Sequence, residues 1–168
     1  AISQSGRRMV NVLDKEIEKI EQKIEELIKS DDELKCTYEL ITTVPGIGMQ
    51  NALCLLIFTN NFKRFNLNPR KIACYYGIAP FGRDSGTSVH YSPHVHYMAN
   101  RMLKSMLTQA ALASIQFCPL FTNYYNRLIS KGKKKQVALN NVKNKLIHII
   151  TSMVKKSQAF NPEYKSIA

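Results

Sequence analysis

The sequence predicts an all-α chain, a long N-terminal coiled-coil helix followed by a compact helical domain, and three observations carry that expectation. Val10, Leu13, Ile17, Ile20, Ile24 and Leu27 recur at alternating spacings of 3 and 4, a heptad seam whose one row continues through Leu34 and Ile41. Helical periodicity returns in Met98, Met102, Leu103, Met106, Leu107, Ala110, Ala111 and Ile115, and again in Val142, Leu146, Ile149, Ile150 and Met153. Strand alternation is weak throughout, which leaves room for at most a short hairpin within residues 81–95. The expected divisions are a coiled-coil helix at 1–38, a helical domain at 39–156 and a polar tail at 157–168 that frays.

Charge is unevenly placed. The chain of 168 residues carries +12 in all, but ten of its 12 acidic residues lie between Asp14 and Glu39. From Ile41 onward 17 Lys or Arg face only Asp84 and Glu163, so the domain is +15 by itself and points to a polyanionic partner. Cys36, Cys54, Cys74 and Cys118 form no Cys-x-x-Cys pair. They read as reduced thiols, the last three in the core. With no run of 18 apolar residues and no signal peptide, the expectation is a soluble cytoplasmic protein without a membrane partner. The chain opens on Ala1 without an initiator Met and reads as a fragment, or as a chain trimmed of its Met.

In order along the chain, the seam reads as a two-stranded coiled coil, between copies or against the chain's own domain, and so predicts a homodimer or higher oligomer. Glu16 and Glu21 would oppose each other in a parallel pair, and Asp31-Asp32-Glu33 interrupts or restarts the helix. From Leu40 to Thr59 an apolar helix runs into Val44-Pro45-Gly46-Ile47-Gly48 and a second apolar helix follows, the order of parts in a helix-hairpin-helix DNA-binding motif. Pro45 stops the first helix. Gly46 and Gly48 keep the turn bare so that backbone N–H groups can approach a phosphate, and Ile47 packs between the helices. An ordinary helix–turn–helix corner is the alternative.

Asn60-Asn61 ends the second helix, and Phe62-Lys63-Arg64-Phe65 interleaves aromatic anchors with cations that meet solvent or phosphate. Asn68-Pro69 caps a short helix through Tyr76. Residues 81–95 form the longest stretch without helical periodicity, where function tends to sit on a helical scaffold. A helix from about His96 to Phe117 follows, with Asn100, Arg101 and Lys104 on or beside its polar face. Cys118-Pro119 breaks it, a helix runs to Ile129, and Lys131-Gly132-Lys133-Lys134-Lys135 makes a basic turn before a last helix from Val137 to Lys156.

Chemistry is sparsely supplied. Metal-dependent cleavage of a phosphodiester uses clustered carboxylates, and two acidic residues after Ile41 cannot build a two-metal site. His90, His94 and His96 have the composition of metal ligands but lack a fourth partner, and phosphate contact or plain loop structure accounts for them as well. Ser85 stands beside Gly86 and two residues after Arg83, so it reads either as a turn residue or as a nucleophile with a cation for the developing anion.

Six short motifs in order resemble one family. Val44-Pro-Gly-Ile-Gly, Phe62-Lys-Arg-Phe, Ala73-Cys-Tyr-Tyr-Gly-Ile-Ala-Pro80, Asp84-Ser-Gly, Ala99-Asn-Arg-Met-Leu-Lys104 and Lys131-Gly-Lys look like the C-terminal domain of the insertion-sequence 110/116/902 transposases, to which DNA invertases of the Piv type are also similar. The resemblance covers about residues 39 to 156. It implies a serine that attacks DNA, here Ser85 with Ser88 and Ser92 as alternatives, and an N-terminal RuvC-like domain, absent from this chain, whose four acidic residues hold Mg. It also implies DNA as substrate and a structured guide RNA as a further partner. The family's Ile-Ser-Lys-x-Gly-Asn segment is replaced here by Val95-His96-Tyr97-Met98-Ala99-Asn100, with Lys104 in place of an arginine. Two other readings remain, a non-catalytic helix-hairpin-helix adaptor and an RNA-binding module that uses the loop at Lys131.

Overall fold

The computed structural model describes residues 3–79, 81–85, 89–94 and 100–163, with the strand segments at 81–85 and 89–94 described by their backbone. Among the described residues it is helical apart from one hairpin. The order is α1 (Gln4–Lys29), α2 (Asp32–Thr42), α3 (Met49–Thr59), a 3-10 turn (Lys63–Phe65), α4 (Pro69–Tyr75), β1 (Phe81–Ser85), β2 (Val89–His94), α5 (Arg101–Phe117), α6 (Pro119–Ser130) and α7 (Lys135–Lys156). The chain divides into two compact units, Ala1–Cys36 and Thr37–Ala168.

In the first unit Ser3 caps α1 by accepting the Gly6 N–H at 3.2 Å. The interruption expected at 31–33 is present. α1 stops at Ser30, and Asp31 Oδ1 accepts the N–H groups of Glu33 and Leu34 to start α2. Lys19 pairs with Glu16 and Lys29 with Glu25 on the solvated side of α1. The seam residues Val10, Leu13, Ile17, Ile20 and Leu27 are all exposed, whereas Ile28 is buried.

In the second unit α5, α6 and α7 pack on one another, α4 packs on α7, and α3 on α5. Ile41, Leu55, Phe62, Ile72, Leu103, Phe121, Val142, Leu146 and Ile150 form the sealed centre. The stop signals act as their chemistry dictates. Asn60 takes a left-handed conformation after α3, Asn68 Oδ1 accepts the N–H groups of Arg70 and Lys71 ahead of α4, and Pro119 opens α6 immediately after α5 ends.

The short hairpin that the patterning left room for is formed. β1 and β2 pair antiparallel, with Phe81 opposite His94, Arg83 opposite Tyr91, Asp84 opposite His90 and Ser85 opposite Val89, and the register shifts between Phe81 and Arg83. Two hydrogen bonds hold the chain at and just after the end of α4 against α5 and α7. The Asn100 N–H donates to Tyr75 O at 3.3 Å, and Asn140 Nδ2 donates to Ile78 O at 2.7 Å.

Two expectations need correction. The tail does not fray at once, because Phe160 stacks on Phe121 with ring centroids 6.1 Å apart and donates its N–H to Thr43 Oγ1. An aromatic four residues past the last helix holds it. Of the cysteines, all free, Cys118 is buried as expected, whereas Cys54 and Cys74 are half-buried and Cys36 is exposed. Among the described residues no helix is long and apolar enough to cross a membrane.

Candidate nucleic-acid interface

The corner between α2 and α3 is a tight turn closed by the Ile47 N–H on Val44 O, with Val44 and Ile47 both buried. Its two glycines have different surroundings. Gly46 sits at φ +92, and a Cβ there would lie 2.5 Å from Ser114 N, 2.6 Å from Ser114 Oγ and 2.8 Å from Ala110 O. Its bare Cα is used by α5, which comes close enough for Ser114 Oγ to hydrogen-bond Pro45 O at 2.7 Å. The side of Gly46 where a Cβ would stand is taken by helix packing. Gly48 is exposed, with nothing within 4 Å of a Cβ position, and it caps α3 without a side-chain hydrogen bond. The exposed donors of this corner are therefore the first N–H groups of α3.

The cations gather at helix beginnings. Asn100 caps α5 by accepting the N–H groups of Met102 and Leu103 on Oδ1, so that oxygen is committed to the helix. Arg101 is exposed and Lys104 half-buried on the first turns of α5, which carry no acidic residue. In the turn ahead of α7 Lys131, Lys133, Lys134 and Lys135 are exposed, Lys134 caps α7, and again no acidic residue stands in the first turn. Lysine and arginine at the positive end of a helix dipole repel it, by about 0.3–1 kcal/mol each where exposed. Both clusters therefore sit in fields that an anion relieves.

Arg64 is held over the Tyr75 ring, its Cζ 4.8 Å from the centroid, and over Phe65 at 5.5 Å, while Lys63 beside it is exposed. Tyr75 also carries the carbonyl that accepts from Asn100, so Arg64 and the start of α5 lie in one neighbourhood. The corner does not join them. Gly46 meets Ser114, and the 13 residues from Arg101 to Ser114 span about 20 Å of helix.

Ser85 is the last residue of β1, opposite Val89, and Arg83 two positions before it shares its phase of the pleat. Ser92 falls within β2. Gly86, Ser88 and His96 lie outside the described residues, as do the side chains of Arg83, Ser85, His90, Ser92 and His94. Among the described residues no three His, Cys, Asp or Glu side chains converge to hold a metal ion.

Sequence reasoning missed a second cation–aromatic cluster. Lys145 Nζ lies 4.4 Å and Arg127 Cζ 5.4 Å from the Tyr124 ring centroid, joining α6 to α7. Burial, then Arg127, pushes the Lys145 pKa down. The three-residue spacing of Tyr124 and Arg127 on a helix was the available signal. Lys143, read only as part of an amphipathic helix, turns out to be buried.

Residues 38–126 match the model of the family described as "Transposase IS116/IS110/IS902 family". The chain is 27% identical over 146 residues to the pilin gene-inverting protein of Moraxella lacunata, covering 86% of this chain and 45% of that one. The pilin gene-inverting protein of Moraxella bovis matches over the same shares at 27%. The insertion element IS110 uncharacterized 43.6 kDa protein of Streptomyces coelicolor is 30% identical over 116 residues, 69% of this chain and 28% of its own length. The chain thus spans less than half the length of these relatives. With more than half of its residues inside that family's model, the chain belongs to the IS116/IS110/IS902 transposase family.

Proposed function

We propose that this chain is the DNA-binding and serine-bearing part of a longer transposase or DNA invertase, in which Ser85 attacks a scissile phosphodiester. Membership of the family and relatives named for gene inversion support the reaction class. The observation that carries DNA binding is the placing of Arg101, Lys104, Lys134 and Lys135 at helix starts with no acid in the first turn. Ordinary folds put Asp or Glu there. Gly48 supports the helix-hairpin-helix reading, because it leaves the start of α3 open to a phosphate oxygen. The carboxylates that would hold Mg are expected in the rest of the longer protein, and a structured RNA there is a further polyanion for the same cations.

Fluorescence anisotropy with a short DNA duplex tests the binding. Engaging about five phosphates gives a slope of about −4.5 in log K against log salt, and Lys134→Glu with Lys135→Glu is expected to make that slope shallower by about 2. Binding that ignores salt would count against the reading.

The exposed seam of α1 is proposed to pair with a second copy of itself, which supports a dimer. Five apolar seam residues on one face of a 26-residue helix are the reason. Sedimentation equilibrium should show an oligomer that Ile17→Lys with Ile20→Lys converts to monomer. A wild-type chain that sediments as a monomer at all concentrations excludes the pairing.

A further inference from the structure

Lys143 is a lysine in the core of a domain that has almost no carboxylates. It lies on α7, 5% exposed, directly after the fully buried Val142. Its Nζ donates to Thr108 Oγ1 at 3.3 Å, and the Thr108 hydroxyl donates in turn to Lys104 O at 2.7 Å. Among the described residues no carboxylate pairs with the amine, and the charge that bears on it is the like charge of Lys104. Burial, then Lys104, pushes its pKa down. Taking an ammonium ion out of water is costly unless an anion offsets it, and here it meets a hydroxyl and a second cation. Leucine or methionine would fill the same space without that cost.

The place is as informative as the burial. Lys143 stands one helical turn after Asn140, whose side chain holds Ile78 O, and Lys104 stands one turn after Asn100, whose N–H holds Tyr75 O. Both lysines therefore stand one helical turn from the residues that hold the backbone at and just after the end of α4. Thr108 and Lys104 are half-buried, which puts the amine one side chain beneath the surface.

We propose that Lys143 and Lys104, with Thr108 as the positioning residue, bind one phosphodiester group of a DNA strand that crosses α5 and α7. The inference rests on the DNA-binding reading above and adds a site to it. The phosphate supplies a counter-charge that offsets the burial and the like charge of Lys104, the two causes that push the Lys143 pKa down. Neither the basic turn at Lys131 nor the corner at Gly48 provides this contact, because each presents its donors to open solvent.

Lys143→Met in the whole chain, with a short DNA duplex as probe, tests the site. The variant is expected to melt no lower than wild type, since it loses an unpaired buried ammonium. It should bind the duplex about tenfold more weakly and lose about one unit of salt slope. Lys143→Arg, which keeps the charge, should fall between the two. In the wild-type chain the Lys143 Cε resonance should shift when duplex is added, a readout independent of whether the variant folds. Salt-dependent wild-type binding with an unmoved resonance, or with Lys143→Met unchanged in affinity and slope, overturns the site and leaves the DNA reading standing. Wild-type chain that binds no duplex overturns both.

Discussion

Gly46→Ala is expected to destabilise the chain by about 3 kcal/mol and to lower its melting temperature by on the order of 10 °C. The added Cβ would lie 2.5 Å from Ser114 N and 2.8 Å from Ala110 O, both backbone atoms of α5, so no side chain can swing aside to admit it. The conformation at φ +92 is itself unfavourable for alanine. Relief would require α5 to back away from the corner, opening the packing of Val44, Ile47, Leu107 and Ala111 behind it. Gly48→Ala is the control. Its Cβ meets nothing within 4 Å and its φ of −89 suits any residue, so stability should change by less than about 0.5 kcal/mol. Circular dichroism melts of the two variants side by side separate the glycine used for packing from the one left open, and equal melts would refute that distinction.

The second large effect is on activity. In the full-length protein Ser85→Ala should reduce strand transfer by on the order of a thousandfold or more while duplex affinity stays within about twofold. The proposed step forms a bond from Ser85 Oγ to phosphorus and breaks one bridging P–O bond. The serine gives up its proton, and the deoxyribose oxygen leaves and takes one up. By the same proposal Arg83, two residues before Ser85 on β1, would stabilise the charge that develops on the non-bridging oxygens. Ser88→Ala and Ser92→Ala should keep activity. A recombination assay in which Ser85→Ala matches wild type would leave the non-catalytic adaptor as the better description, and loss at Ser88 or Ser92 instead would move the nucleophile.

Much of the helical order was legible because its signals are local. Asn68-Pro69, Cys118-Pro119 and Asn60 mark boundaries through fixed φ values and side-chain caps, and those boundaries appear where the residues stand. The ribbon was legible only as a break in periodicity, since five- and six-residue strands that contain Gly82 and Pro93 carry little pattern of their own. What the sequence could not reveal depends on tertiary approach. Nothing in Val44-Pro45-Gly46 says which element will lie against the bare Cα, and a lysine beside Val142 on an amphipathic helix gives no sign that Thr108, 35 residues earlier, will receive its amine. Phe160 was missed for the same reason, because its partner Phe121 lies back on α6, with the whole of α7 between them in the chain. The excess of cations was visible as composition, but its placing at the starts of α5 and α7 emerged only with the helix boundaries.

The most direct measurement uses the full-length protein with a DNA substrate whose cleaved strand cannot be rejoined. Protease digestion and mass spectrometry then locate any covalently attached nucleotide. The expected result is a peptide spanning Ser85 with the nucleotide phosphate on that hydroxyl, absent from Ser85→Ala. Cleaved DNA with no protein attached, or a nucleotide carried on another residue, would contradict the assignment.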